Sequence, residues 1–373
     1  MEEINEDKET DENAVEPSPE NKPVLIGLDL GTSQSCIHTG YPGSDTIDVK
    51  QIIPSVVGYV KEGIIDNILP GNVKMMFGNE AILNRLHLQL VWPIKEGIVR
   101  NIVATRDYAE YLRDIACRNN KGETRAVIGV PASSSNATRK HLRQAMTGIF
   151  DRIILIPEPF LAALGYRDKS KVGTPEYIDP VNNSMFIDIG AGTTDICMIQ
   201  GYFPTLDDQI SIPFAGDAVD ELLNKLIQRT YPDCLLSSIR VREIKEKHSY
   251  VGKALGPVKE NVIIGGKMRT LELTEHICKA CEELLIHILD TIKLIIPRAE
   301  ADSVTELLQN IILTGGGSQI RNISAELQEL LKKEGFEEPR VHTMGKHYEE
   351  FVGQGALVAA RQAREDQWQQ LIA

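Results

Sequence analysis

Two stretches of this 373-residue chain carry the residue types needed to grip phosphate. Residues 26–37 read Ile-Gly-Leu-Asp-Leu-Gly-Thr-Ser-Gln-Ser-Cys-Ile, and residues 186–197 read Phe-Ile-Asp-Ile-Gly-Ala-Gly-Thr-Thr-Asp-Ile-Cys. Each is an apolar strand with a late aspartate, then a glycine turn bearing hydroxyls, then the start of a second strand. Glycine at Gly31, Gly190 and Gly192 lets backbone N–H groups approach phosphate oxygens, and Thr32, Ser33, Thr193 and Thr194 add hydroxyl donors. Asp29 and Asp188 stand at the strand ends, where a hydrated divalent cation would neutralise phosphate charge. A third loop, Thr314-Gly315-Gly316-Gly317-Ser318, follows the apolar run 310–313 and leads into a helical pattern, which suits close approach to a nucleoside. One such turn is ordinary, but three in one chain point to a nucleotide. No Gly-x-x-x-x-Gly-Lys-Ser/Thr sequence is present, so the grip comes from paired hairpins and not from a P-loop.

Such loops need rigid strands behind them. Apolar runs at 24–29, 52–60, 125–130, 152–156, 185–188, 196–199 and 310–313 read as strands. Amphipathic segments at 106–118, 134–147, 160–166, 218–229, 238–250, 274–296 and 323–331 read as helices. Val/Ile-rich runs separated by helices indicate sheets covered on both faces, an α/β architecture. The repeated motif implies two halves of like topology, each opening with one hairpin. Residues 1–22 hold nine acids and two lysines without an apolar cluster and read as a disordered acidic tail. They supply more than half of the net charge of −13, and the roughly −6 left on the remainder argues against a broad nucleic-acid surface.

With no run of about 18 apolar residues and no secretory signal, a cytoplasmic chain without membrane insertion is expected. The six cysteines then read as reduced thiols. Cys278 and Cys281 lack the second Cys-x-x-Cys of a zinc site and read as small residues on one helix face. The Asn-x-Ser/Thr triplets at Asn136, Asn182 and Asn322 are without consequence in that compartment. Trp368, Leu371 and Ile372 read as part of a solvated helix end.

The hairpin motifs and the glycine loop resemble the phosphate and adenosine motifs of the actin, Hsp70 and sugar-kinase superfamily, and the likeness runs from about residue 24 to 360. Residues 92–99 (Trp-Pro-Ile-Lys-Glu-Gly-Ile-Val) and 351–356 (Phe-Val-Gly-Gln-Gly-Ala) are similar to its two connecting segments. Residues 244–252 resemble the actin segment whose Lys and Glu flank the nucleoside. Pro157-Glu158-Pro159-Phe160 and Ala215-Gly216-Asp217 are similar to bacterial actins of the MreB type. Residues 126–132, 188–197, Asp208-Gln209 and 308–321 add a likeness to the magnetosome-organising actins, the MamK group.

This resemblance implies an actin-like ATPase fold of two pseudo-repeated halves, with ATP or ADP and Mg²⁺ in the cleft between them. Subdomain IA would take residues 23–55 and 86–184, IB 56–85, IIA 185–215 and 271–345, and IIB 216–270, with 346–373 returning to IA as a C-terminal helix. Gly31, Thr32, Ser33, Gly190, Gly192, Thr193 and Thr194 would hold phosphate. Glu221, Lys245, Glu246, Gly315, Gly316, Gly317 and Ile320 would border ribose and adenine. Asp29 and Asp188 would act on Mg²⁺ through water, and Glu158 with Asp188 would hold the attacking water. The implied function is a dynamic, ATP-hydrolysing filament of this chain with itself, attached through adaptor proteins to magnetosomes or other cargo. An MreB-type cell-shape or plasmid-segregating actin is the alternative, and a small-molecule kinase a more distant one. An Hsp70-type chaperone would need a further domain, whereas this chain ends shortly after its last matched motif.

Overall fold

The computed structural model describes residues 22–371 except 66, 96, 119, 175 and 176. Apart from Lys22, the acidic tail lies outside the described residues. The first half opens with an antiparallel meander of β1 (Val24–Leu30), β2 (Gln34–Gly40) and β3 (Lys50–Pro54). A small insertion holds β4 (Val57–Val60), β5 (Met75–Phe77), α1 (Gly78–Leu83) and β6 (Leu88–Val91), and β7 (Ile94–Lys95) pairs with β8 (Ile98–Val99). Then come α2 (Ile102–Cys117), β9 (Thr124–Val130), α3 (Asn136–Met146), β10 (Arg152–Pro157) and α4 (Glu158–Tyr166). β9 lies parallel to β1 and β10 parallel to β9, so the central order is β3-β2-β1-β9-β10.

The second half repeats the plan. Its meander is β11 (Ser184–Ile189), β12 (Thr194–Ile199) and β13 (Gln209–Ile212). There follow α5 (Gly216–Thr230), α6 (Ser238–His248), the hairpin β14 (Lys259–Ile264) and β15 (Lys267–Glu272), α7 (Thr274–Ile295) and α8 (Val304–Gln309). β16 (Ile311–Thr314), α9 (Ile323–Lys333), β17 (Val341–Thr343), α10 (Tyr348–Gln362) and β18 (Gln369–Gln370) close the chain. The order β13-β12-β11-β16-β17 is that of the first sheet, strand for strand. Two sheets of one topology are the physical counterpart of the repeated motif.

Helices α4 and α10 lie between the sheets. Leu25 and Val127 from one sheet, Phe186 and Ile312 from the other, and Leu161 and Ala356 from the helices share one apolar cluster. The two helices approach backbone to backbone: a Cβ on Gly165 would fall on the Phe351 carbonyl, and one on Gly355 on the Leu161 carbonyl. Along α7, Ile277, Leu284, Ile288, Ile292 and Ile295 recur at helical spacing and are buried. Cys281 is buried on this helix and Cys278 half-buried, neither in a disulfide. Among the described residues no helix is long and apolar enough to cross a membrane.

Two sequence expectations about the fold are corrected. The apolar run 52–60 is not one strand, because the chain leaves the main sheet after Pro54 and re-enters a separate three-stranded sheet at Val57. Trp368 is not part of a solvated helix end. α10 stops at Gln362, β18 pairs antiparallel with β10, and the indole is 7% exposed with the Arg125 guanidinium 5.9 Å from its ring centre. Ile372 lies outside the described residues. The β14–β15 hairpin was not expected at all.

That hairpin is held to α6 by one buried acid. Glu260 accepts Lys247 Nζ at 2.7 Å and His248 Nε2 at 2.5 Å on one oxygen, and Arg240 Nη2 at 2.8 Å on the other. The Lys247 and His248 hydrogen bonds hold its carboxyl at about 2, below the ordinary 4.5. A depressed carboxyl stabilises the fold fully above its unfolded value and loses that contribution as pH falls toward 2. Glu260→Gln is therefore expected to cost about 1–2 kcal/mol at pH 7, after allowing for the exposed Lys247, and much less at pH 3. Denaturant unfolding at both pH values checks this, and a gap that persists undiminished at pH 3 would contradict it.

Candidate functional site

A cavity of about 390 Å³ opens between the halves where the two meander hairpins face each other. β1 delivers Asp29 to its floor, and the turn Gly31-Thr32-Ser33 follows at the rim. The turn is too tight for a side chain, since a Cβ on Gly31 would lie 2.5 Å from the Gln34 carbonyl oxygen. Opposite, β11 delivers Asp188 and the turn Gly190-Ala191-Gly192-Thr193. Gly190 N–H donates to Thr193 O at 2.9 Å, while Gly190 and Ala191 carbonyls accept from Gly216 N–H at 3.0 Å and Asp217 N–H at 2.8 Å at the start of α5. The second turn is thereby fixed to a helix N-terminus.

The third loop meets both. β16 lies parallel to β11 with Thr314 beside Asp188, and Gly315 turns away with φ +75°. A Cβ there would overlap Asp188 Oδ1 and the Ile189 carbonyl, so only glycine carries the chain past the carboxylate. Gly316, Gly317 and Ile320 line the far end of the cavity with Lys245 and Glu246 of α6. Lys245 Nζ bonds Gly216 O at 2.8 Å and Asp220 at 2.9 Å, and Arg242 reaches Asp217 at 2.6 Å.

Glu158 is the first residue of α4 and faces the same cavity, where Gly129 leaves room: a Cβ at Gly129 would lie 2.9 Å from Glu158 Cγ. Burial, then Asp29, Asp195 and Asp188, push the Glu158 carboxyl well above the usual range. Asp188 is raised by burial and by Asp195 and Asp29, and burial raises Asp29 to about 7. Four carboxyls repelling one another in a low-dielectric cleft fit a site completed by positive charge. Among the described residues no three His, Cys, Asp or Glu side chains are grouped to enclose a metal. Carboxylate oxygens are the donors that a divalent cation held through its waters, such as Mg²⁺, would meet here.

Of the residues singled out from sequence, Asp29, Gly31, Thr32, Ser33, Glu158, Asp188, Gly190, Gly192, Thr193, Lys245, Glu246, Gly315, Gly316, Gly317 and Ile320 all line this cavity. Two do not. Thr194 is buried in β12 and its hydroxyl donates to Phe214 O at 2.8 Å. Glu221 lines a neighbouring recess of about 280 Å³ with Trp92, Asn224 and Arg242. Sequence reading also passed over Asp195, whose carboxylate accepts the Ala132 N–H at 2.7 Å and so links the halves. A lone acid in the apolar run of β12 was its signal. Tyr348, at the start of α10, is a further missed wall of the cavity.

Residues 24–335 match the MreB/Mbl protein family. The actin-like protein MamK of Magnetospirillum gryphiswaldense is 30% identical over 314 residues, covering 83% of this chain and 82% of that protein. Among solved structures, a MamK double helical filament superposes with TM-score 0.82 at 29% identity, over 92% of this chain and all of that one. A non-polymerising MamK mutant bound to AMPPNP superposes with TM-score 0.65, again at 29% identity, over 91% of this chain and 99% of that one.

Proposed function

This chain belongs to the MreB/Mbl family and has the actin-like fold, and from that premise we propose that it is an ATPase that assembles into filaments of itself. The observation that carries this reading is the meeting of two glycine-turn hairpins and the 315–317 loop in one cleft of a duplicated fold. AMPPNP in the MamK mutant and the MamK filament itself support nucleotide binding and self-assembly.

In this reading the two turns clamp the phosphates of ATP, and Lys245, Glu246, Gly316, Gly317 and Ile320 border the nucleoside. Asp29 and Asp188 would hold Mg²⁺ through water, and the cation would neutralise charge on the phosphates. Glu158 and Asp188 hold a water in line with the terminal phosphorus, so catalysis is chiefly positioning and electrostatics. Residues on both halves contact one ligand, so ATP favours the closed cleft. Hydrolysis removes part of that differential affinity and weakens contacts made only by the closed protomer. By likeness to MamK, the filament positions magnetosomes in the cytoplasm through adaptor proteins. The match to the MreB/Mbl family, together with relatives named as cell shape-determining MreB proteins, keeps a cell-shape role as the second reading. Imaging a tagged copy separates the two, a linear track along an organelle chain for the first and dispersed short filaments with altered cell width on deletion for the second.

The protein pelleted by ultracentrifugation is expected to rise with ATP and Mg²⁺ and to fall after the nucleotide is spent. A chain that hydrolyses ATP yet stays monomeric by light scattering at every accessible concentration would favour a small-molecule kinase instead.

A further inference from the structure

Strand β12 reads Thr-Asp-Ile-Cys-Met-Ile, and its one charged residue, Asp195, is 1% exposed. The ladder sets Asp195 directly opposite Asp188 on β11, so two buried carboxyls stand side by side across one strand pair. That placing is unfavourable on its own, since like charges in cross-strand register repel and each has lost its water. The first hairpin, which otherwise repeats the plan, has Cys36 opposite Asp29. A carboxyl at this register is therefore no requirement of the hairpin.

What the carboxylate holds accounts for it. Its Oδ1 accepts the Ala132 N–H at 2.7 Å, and Ala132 belongs to the other half, two residues beyond the end of β9. Ala132 is fully buried, so losing this partner would leave its N–H out of reach of water. From the second half, the Thr193 and Ser211 hydroxyls bond the same carboxylate, Ser211 from the register position beside it on β13. Thr193 closes the second glycine turn of the cleft. On the first half, β10 runs beside β9 with Pro157 in register with Val130, and Glu158 follows directly with its Cγ over Gly129. One side chain thus grips the second turn and the end of the strand on which Glu158 rests.

We propose that Asp195 is a positioning residue for ATP hydrolysis: by holding Ala132 of the first half and Thr193 of the second on one carboxylate, it sets the distance between Glu158 and the turn that grips phosphate. This role rests on the ATPase reading and adds to it a tie across the cleft. Asp195 works through its neighbours, as a hydrogen-bond acceptor rather than as a charge. In-line attack tolerates little displacement, a shift of about 1 Å costing on the order of 100-fold, so a tie of this kind is felt in the rate before it is felt in binding.

The test uses the full chain with Mg²⁺ and ATP. Asp195→Ala is expected to lower phosphate release at saturating ATP roughly 20-fold, with KM for ATP within about threefold of wild type. Asp195→Asn keeps an oxygen for the Ala132 N–H and an amide group that can bond the two hydroxyls, so it should recover most of the rate without the charge. Hydrogen exchange with AMPPNP bound should show the Ala132 amide protected in wild type and in Asp195→Asn, and exchanging faster in Asp195→Ala. Because Asp195 acts by placing Glu158, adding Asp195→Ala to Glu158→Ala should slow release little further. If Asp195→Ala does not fold, Asp195→Val fills the site, suits a strand and removes the same acceptor. Release at the wild-type rate from the Ala or Val variant makes the tie structural only and overturns the proposal, as does an Ala132 amide that stays protected. An Asn variant as slow as Ala overturns it too, because the charge and not the tie would then matter, and so does an effect that adds in full to that of Glu158→Ala. Wild-type protein that binds ATP without releasing phosphate would instead remove the ATPase reading itself.

Discussion

Glu158→Ala is expected to slow phosphate release about 100-fold, close to 2.7 kcal/mol of barrier, while ATP binding and filament formation persist. The side chain faces the cleft from the first turn of α4, beside Asp29, Asp188 and Asp195, and is not among the turns that would clamp phosphate. Its loss removes a group that orients water and leaves the grip intact, so filaments should last longer. Asp188→Ala should also slow release, with a stronger change in Mg²⁺ dependence, since in the proposed mechanism Asp188 would serve both water and cation. In the proposed mechanism the two side chains would share one water, so the double variant should be little slower than the worse single one. Phosphate release measured beside filament disassembly decides the matter. If Glu158→Ala released phosphate at the wild-type rate, the glutamate would serve α4 only as a favourable acid at a helix N-terminus.

Gly355→Ala is expected to destabilise the protein by about 3 kcal/mol or more, at the upper end of overpacking effects. The added methyl would meet the Leu161 carbonyl and stand 2.9 Å from the Gly165 nitrogen, and backbone atoms have no rotamer with which to yield. Gly165→Ala meets the Phe351 carbonyl across the same crossing and should cost a similar amount. Because either methyl forces α4 and α10 apart, the double variant should lose less than the sum. Denaturant midpoints for the three variants test this, and a loss below about 1 kcal/mol for Gly355→Ala would mean that the helices have room to separate.

The duplicated hairpins, the third glycine loop and most helices were legible because each is written locally, as a glycine turn after an apolar run or an apolar stripe at helical spacing. What stayed hidden depends on partners distant in sequence. In Ile52-Ile53-Pro54-Ser55-Val56-Val57 the one local mark of the point where the chain leaves one sheet for another is Pro54, which ends β3 but does not say that a second sheet follows. Gln369 and Gln370 have no strand pattern, and they pair with β10 through backbone groups alone. The β14–β15 hairpin did carry a signal, Gly265-Gly266 between apolar runs, but its exposed residues blur the alternation that marks a half-buried strand. At the site, motif and resemblance named the loops that approach the cleft; Asp195 carried a signal as the lone acid of β12, whereas Tyr348 enters only through tertiary packing. Thr194 and Glu221 sit beside true cavity residues in sequence, and strand alternation and helix rotation turn them elsewhere.

The close crossing of α4 and α10 also limits how descendants of this chain can vary. Gly27, Gly165 and Gly355 each face the backbone of a neighbouring element at a distance that admits only hydrogen. Drift at these positions is closed whatever nucleotide or cargo a lineage adopts, because the obstacle is the chain itself. The exposed Ile263, Met268 and Leu206 have no such obstacle within the protomer and are free to diverge. Glycine persisting along the crossing would thus record the nearness of two backbones, whatever changes on the open surface.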